Sequence, residues 1–136
     1  MITDKIGIGY DVHRLEKGRP LMLAGVRVPF EMGLRGHSDG DVLTHAIIDA
    51  LLGAAGLPDI GQQFPDTDPQ YRDISSLILL KRAGELVGGQ GFTIVNVDTA
   101  LLAEAPRIAP QVDAMRACLG EAMGIAARRV AVKAKT

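Results

Sequence analysis

"HSDGDVLTHAIIDALLGAAG", residues 37 to 56, is where the hydrophobic pattern of the chain changes period. Leu43, Ile47, Ala50, Leu51 and Ala54 recur at the spacing of one helix face, which predicts a helix here. Ser38 or Asp39 is the expected N-cap, and Gly56 before Pro58 the expected stop. The opposite face carries Asp41, His45 and Asp49 at i, i+4 and i+8.

Upstream the pattern is that of strands. Residues 5 to 13 alternate and read as a strand, and "RPLMLAGVRVPF" (19 to 30) reads as one or two strands bent at Gly25. Downstream lies an Asp- and Pro-rich loop, "LPDIGQQFPDTDPQYRD", then a second helix around residues 74 to 88 ending in Gly-Gly. "FTIVNVDTALL" is β-branched and strand-like. Ile108, Val112, Met115, Leu119 and Ala122 then mark a third helix, and "RRVAVKAKT" a closing strand. The order β, β, α, α, β, α, β predicts an α/β (α+β) chain, a two-layer sandwich whose mixed four-stranded sheet carries helices on one face. The other sheet face, with Ile94, Val95, Val97, Ala131 and Val132 in its strands, would then lack cover, so a homo-oligomer is expected.

Bulk properties agree with one domain, residues 1–136. Hydrophobic residues make up 47% of the chain with no Trp and 4% aromatics, so the core must be aliphatic. Fifteen basic residues against sixteen acidic give a net charge of -1, with no basic block and few rings to stack on bases, which argues against nucleic acid as a partner. The single Cys118 excludes an intramolecular disulfide and suits a reducing compartment. No apolar run approaches the ~20 residues of a membrane span, and no signal-peptide pattern opens the chain, so a cytoplasmic location with no membrane partner is expected.

The three histidines, His13, His37 and His45, all fall in the first third of the chain. Asp11 and His13 would share one face of the first strand, and His45 can turn toward the end of that strand. Two imidazoles and a carboxylate form a common catalytic zinc set with a fourth position left open. The same residues read equally well as an i±4 contact of His45 with Asp41 or Asp49 beside two strand-end side chains. "GHSDGDV" is a Gly-flanked turn entering a helix, where free N–H groups favour an anion, though a plain capped helix uses the same residues.

Taken together, "GYDVH", "GHSDGDVLTHAIIDALLGAAGLPDIGQQFPDTDP", "NVDTALLAEAPRI" and "VAVKAKT", in this order and spacing, closely resemble the 2-C-methyl-D-erythritol 2,4-cyclodiphosphate synthase family over nearly the whole chain. The resemblance implies conversion of 4-diphosphocytidyl-2-C-methyl-D-erythritol 2-phosphate to the cyclic diphosphate plus CMP, in the non-mevalonate isoprenoid pathway. It implies zinc ligands Asp11, His13 and His45, one ion per subunit, with Val12 near the substrate. His37 and Ser38 would contact substrate phosphate, with His37 helping to stabilise the transition state. Asp59, Ile60 and Gly61, then Phe64, Pro65, Asp66, Thr67 and Asp68, would hold the methylerythritol end. Ala103, Glu104, Ala105, Pro106, Arg107, Ile108 and Ala109 would bind cytidine and diphosphate. Lys135 and Thr136, the second counted with His37 as catalytic, would clamp the diphosphate, which the family bridges with Mg2+ or Mn2+. The family is a homotrimer with active sites between subunits. Its pattern runs past Thr136 through a Thr-Glu pair, whose Glu ligates that magnesium, to a last strand, a segment this chain is expected to lack.

Two other readings use the same residues. A zinc-dependent phosphate-ester hydrolase would need a general base, for which Asp41 or Asp49 could serve. An inactive trimeric ligand-binding module would keep the fold without turnover.

Overall fold

The structure, a computed structural model, describes residues 3–136. The chain is mixed α/β. Its elements in order are β1 (Leu15–Lys17), β2 (Leu21–Leu23), β3 (Val26–Val28), β4 (Met32–Leu34), α1 (Val42–Ala54), α2 (Ile60–Gln63), α3 (Ser76–Gly89), β5 (Val97–Leu102), α4 (Val112–Met123) and β6 (Val130–Lys135).

Helix α1 begins two to three residues later than its sequence signals suggest. Its N-cap is Asp41, whose side chain accepts from Thr44 N, and neither Ser38 nor Asp39 takes that place. The reason lies in the β2–β3 hairpin. Ala24 and Gly25 turn with positive φ (51° and 74°), and their N–H groups point at the Asp41 carboxylate, at 2.9 and 2.7 Å. Thr44 adds its N–H at 3.0 Å and its hydroxyl at 2.8 Å, so a side chain with no exposed surface has four donors. A buried carboxylate is tolerable only when satisfied in this way.

The three long helices share one aliphatic core. Ile48 and Leu52 of α1, Leu80 and Ala83 of α3, and Met115 and Leu119 of α4 are all fully buried. Each buried Leu or Ile contributes roughly 1.5–3 kcal/mol relative to exposure. Phe30, Phe64 and Tyr71 only border this core, as the aromatic-poor composition predicts. Gly124 closes α4 in the left-handed conformation, with φ 72°.

The expected four-stranded sheet is resolved as three two-stranded ladders: β1 with β4 and β2 with β3 antiparallel, β5 with β6 parallel. Helix α4 packs on β6 and α1 on β5. Residues 5 to 13, read as a strand, alternate in exposure from Ile6 onward but belong to no ladder among the described residues. Their inward positions explain this. A Cβ on Gly7 or Gly9 would lie 1.8 Å from the carbonyl oxygen of Ala50 or Ala46, so the segment sits directly on the backbone of α1. Between its start and residues 91–98 lies a cavity of about 750 Å3. The outward positions are apolar: Ile6, Ile8, Tyr10 and Val12 are 95, 91, 81 and 73% exposed.

Candidate metal centre

The segment before β1 delivers Asp11 and His13 on its inward side, and α1 delivers the buried His45 to meet them. His13 Nε2 and His45 Nδ1 lie 2.8 and 3.1 Å from Asp11 Oδ2, and 3.4 Å from each other. One donor atom from each residue falls within 4.8 Å of the others, the spacing of a divalent-metal site.

The far sides of these groups are also engaged. His13 Nδ1 is hydrogen bonded to the Arg35 carbonyl, which can only accept, so the proton sits on Nδ1 and Nε2 presents a lone pair to a metal. His45 Nε2 faces the hydroxyls of Ser76 and Ser38, at 2.8 and 3.1 Å. Asp11 Oδ1 accepts from Val12 N at 3.0 Å. Without a metal, Asp11 and His13 shift each other's protonation. Burial opposes ionisation of Asp11, but hydrogen bonds and charge from His13 and His45 outweigh it and hold the carboxyl well below its usual range. The Asp11 hydrogen bond raises His13 above its usual value, against a smaller effect of burial. Two imidazoles and a carboxylate with their donor atoms this close fit a divalent ion.

A family model described as the YgbB family matches residues 5–136. The chain belongs to the YgbB family. Among curated YgbB relatives, the 2-C-methyl-D-erythritol 2,4-cyclodiphosphate synthase of Desulfatibacillum aliphaticivorans is 54% identical over 132 residues, covering 97% of this chain and 85% of that protein. The protein of the same name from Laribacter hongkongensis is 56% identical, covering 97% and 82%. A solved 2C-methyl-D-erythritol-2,4-cyclodiphosphate synthase in its CDP-bound form superposes with a TM-score of 0.90 at 42% identity, covering 96% of this chain and 87% of that one. The bifunctional IspDF from Campylobacter jejuni superposes with a TM-score of 0.95 at 42% identity. There the match covers 100% of this chain but only 37% of the other.

The remaining motif residues of this YgbB chain fall into three groups. Near the triad, His37 Nε2 lies 3.2 Å from the Asp68 carbonyl, which brings the Phe64–Asp68 loop to the His37–Ser38 turn. At the other end, Ala103 N donates to the Lys135 carbonyl at 2.9 Å, so the Ala103–Ala109 segment starts beside Lys135 and Thr136. A cavity of about 590 Å3 joins Asp11, Val12 and His13 to Ala103 through Pro106. Ile108 is the exception in its segment, being buried in the core with 1% exposure. Asp59, Ile60 and Gly61 stand apart at the start of α2, where Asp59 caps Gln62 N and Asp49 accepts from Ile60 N at 2.8 Å. They make no hydrogen bond to the triad.

Sequence reasoning passed over Ser76 and the Arg35 carbonyl. Ser76 opens α3 in "DISSLI", which signals a helix start and nothing more. Its position 31 residues from His45 leaves no local trace of their contact.

Proposed function

We propose that the chain converts 4-diphosphocytidyl-2-C-methyl-D-erythritol 2-phosphate to 2-C-methyl-D-erythritol 2,4-cyclodiphosphate and CMP, the cyclodiphosphate synthase step of the non-mevalonate isoprenoid pathway and a phosphorus-oxygen lyase reaction. The observation that carries this is the Asp11, His13 and His45 cluster in a chain 54% identical to a synthase of that name.

An oxygen of the 2-phosphate attacks the β-phosphorus, and the bond from that phosphorus to the oxygen of CMP breaks. The second pKa of a phosphate is about 6, so near neutral pH the nucleophile needs no side-chain base. What the reaction needs is two anions held in line. Zinc held by Asp11, His13 and His45, with magnesium or manganese at the diphosphate, would supply the positive charge that lets them approach. His37 and Ser38 position a phosphate at the turn before α1. The loop from Phe64 to Asp68, with Asp59 to Gly61, holds the methylerythritol end. The segment from Ala103 to Ala109 takes the cytidine, while Arg107, Lys135 and Thr136 meet the diphosphate. We place these sites between the subunits of a trimer, a reading supported by the exposed row Ile6, Ile8, Tyr10 and Val12 and by Leu102, 76% exposed on β5.

The geometry favours cyclisation over hydrolysis. Asp41 is saturated by four donors in the interior, and Asp49 is turned to Ile60 N, so neither is poised as a base over the triad. Incubation with the substrate in isotopically heavy water separates the readings. The expected product, followed by phosphorus NMR and mass spectrometry, is the cyclic diphosphate without solvent oxygen. A linear product carrying heavy oxygen would establish hydrolysis, and no turnover a binding module.

A further inference from the structure

Two hydroxyls converge on one nitrogen of His45, and they are not equivalent. Ser76 has no exposed surface, and its hydroxyl is hydrogen bonded to Asp39 Oδ1, while Asp39 Oδ2 accepts Ser76 N at 3.0 Å. A carboxylate only accepts, so Ser76 Oγ has already given its one proton to Asp39 and can only accept from the imidazole, 2.8 Å away. The Ser38 hydroxyl, 3.1 Å from the same nitrogen, has no other partner among the described residues.

We infer that Asp39 and Ser76 are positioning residues that keep the His45 proton on Nε2 and its Nδ1 lone pair at the metal centre, leaving the Ser38 hydroxyl free to turn to a substrate phosphate. The inference rests on the metal-centre reading. Its logic is one of separated duties. If Ser38 alone held Nε2, turning its hydroxyl to an anion would leave a buried imidazole N–H without an acceptor just as charge arrives at the site. Ser76 removes that conflict. Asp39 Oδ1 also accepts from Asp41 N at 3.1 Å, so one carboxylate ties the turn before α1 to the start of α3 and fixes the serine relative to His45.

The test compares Ser76→Ala, Asp39→Asn and Ser38→Ala. Zinc affinity is measured by chelator competition, and solvent exchange of the His45 Nε2 proton by NMR of the zinc-loaded protein. Ser76→Ala is expected to loosen zinc about 10- to 100-fold and to expose the imidazole proton to rapid exchange. Ser76→Thr, which keeps the hydroxyl, restores both. Asp39→Asn sets an amide N–H against a donor that Asp39 now accepts, and it carries the same expectation should the alanine variant fail to fold. Ser38→Ala keeps its zinc and its protected proton and weakens binding of cytidine 5′-diphosphate. A folded Ser76→Ala with wild-type zinc affinity and a protected proton overturns the inference, as does a Ser38→Ala that loses zinc equally. Zinc retained by His45→Ala would instead bring down the metal-centre reading itself.

Discussion

The two ends of the proposed site are built differently. At the metal centre every ligating side chain has its far atoms held: His13 by the Arg35 carbonyl, His45 by Ser76 and Ser38, Asp11 by Val12 N. At the nucleotide end, Glu104, Arg107, Lys135 and Thr136 are exposed, and none of their side chains makes a hydrogen bond among the described residues. One end is organised before anything binds; the other acquires its order from ligand or neighbour. Such a division fits the task, since a metal centre must present fixed lone pairs, whereas recognition of a long substrate can draw on contacts made on arrival.

The sharpest way to break the comparison is to remove one side chain from each end. His13→Ala or His45→Ala is expected to lose bound zinc and to cut turnover by on the order of 10²–10³-fold or more, with the helical circular dichroism unchanged, because neither ring is part of the aliphatic core cluster. His37→Ala should keep its zinc and lose turnover. Arg107→Glu should also keep its zinc but bind cytidine 5′-diphosphate about 10- to 100-fold more weakly. Metal analysis decides the matter: full zinc occupancy in either His13 or His45 variant would dissolve the centre, and depletion in Arg107→Glu would merge the two ends.

A smaller effect follows from protonation of the metal centre. In the metal-free protein His13 titrates above 6.5, so its pairing with Asp11 stabilises the fold fully below that pH and fades as pH rises through the raised value. Asp11 is shifted the other way; its contribution is present above 3.8 and fades as pH falls toward the depressed value. The metal-free fold therefore gains most from this pair between pH 3.8 and pH 6.5. Zinc must displace the His13 proton, so its affinity should begin to fall above pH 6.5 and approach ~10-fold per pH unit below it. Chelator competition from about pH 7.5 to about pH 5.5 checks this, and a flat profile would exclude His13 as a ligand.

How much of this was legible in the sequence follows the range of the interactions. The helix face at Leu43, Ile47 and Leu51 repeats locally and reads directly; so do the stop at Gly56 and the alternation from residue 7 to residue 13. The motif order delivered the triad. What was not legible depends on contacts between distant segments. Asp41 becomes the cap of α1 because the Ala24–Gly25 turn, 16 to 17 residues upstream, aims its N–H groups there. The segment before β1 stays out of a ladder because Gly7 and Gly9 seat it on α1, and a glycine in a strand pattern does not announce its neighbour. Ser76 is silent for the same reason.

The gentlest test asks whether the two ends that act together belong to one chain. Within a single chain the cavity from Asp11 to Pro106 already joins them, whereas the exposed row from Ile6 to Val12 speaks for a neighbour that would supply the nucleotide end. Mixing separates these. His13→Ala damages the metal end and Arg107→Glu the nucleotide end, and at substrate levels below saturation each variant alone is expected to retain only a small share of wild-type activity. After joint unfolding and reassembly in equal amounts, a site between subunits takes its metal end from an intact donor half the time, and its nucleotide end likewise. About a quarter of wild-type activity should then return, a fourfold deficit where each parent had almost none. If both ends come from the same chain, every site keeps one defect at every mixing ratio. No activity then returns, and the site lies within the subunit along the cavity that runs from Asp11 to Pro106.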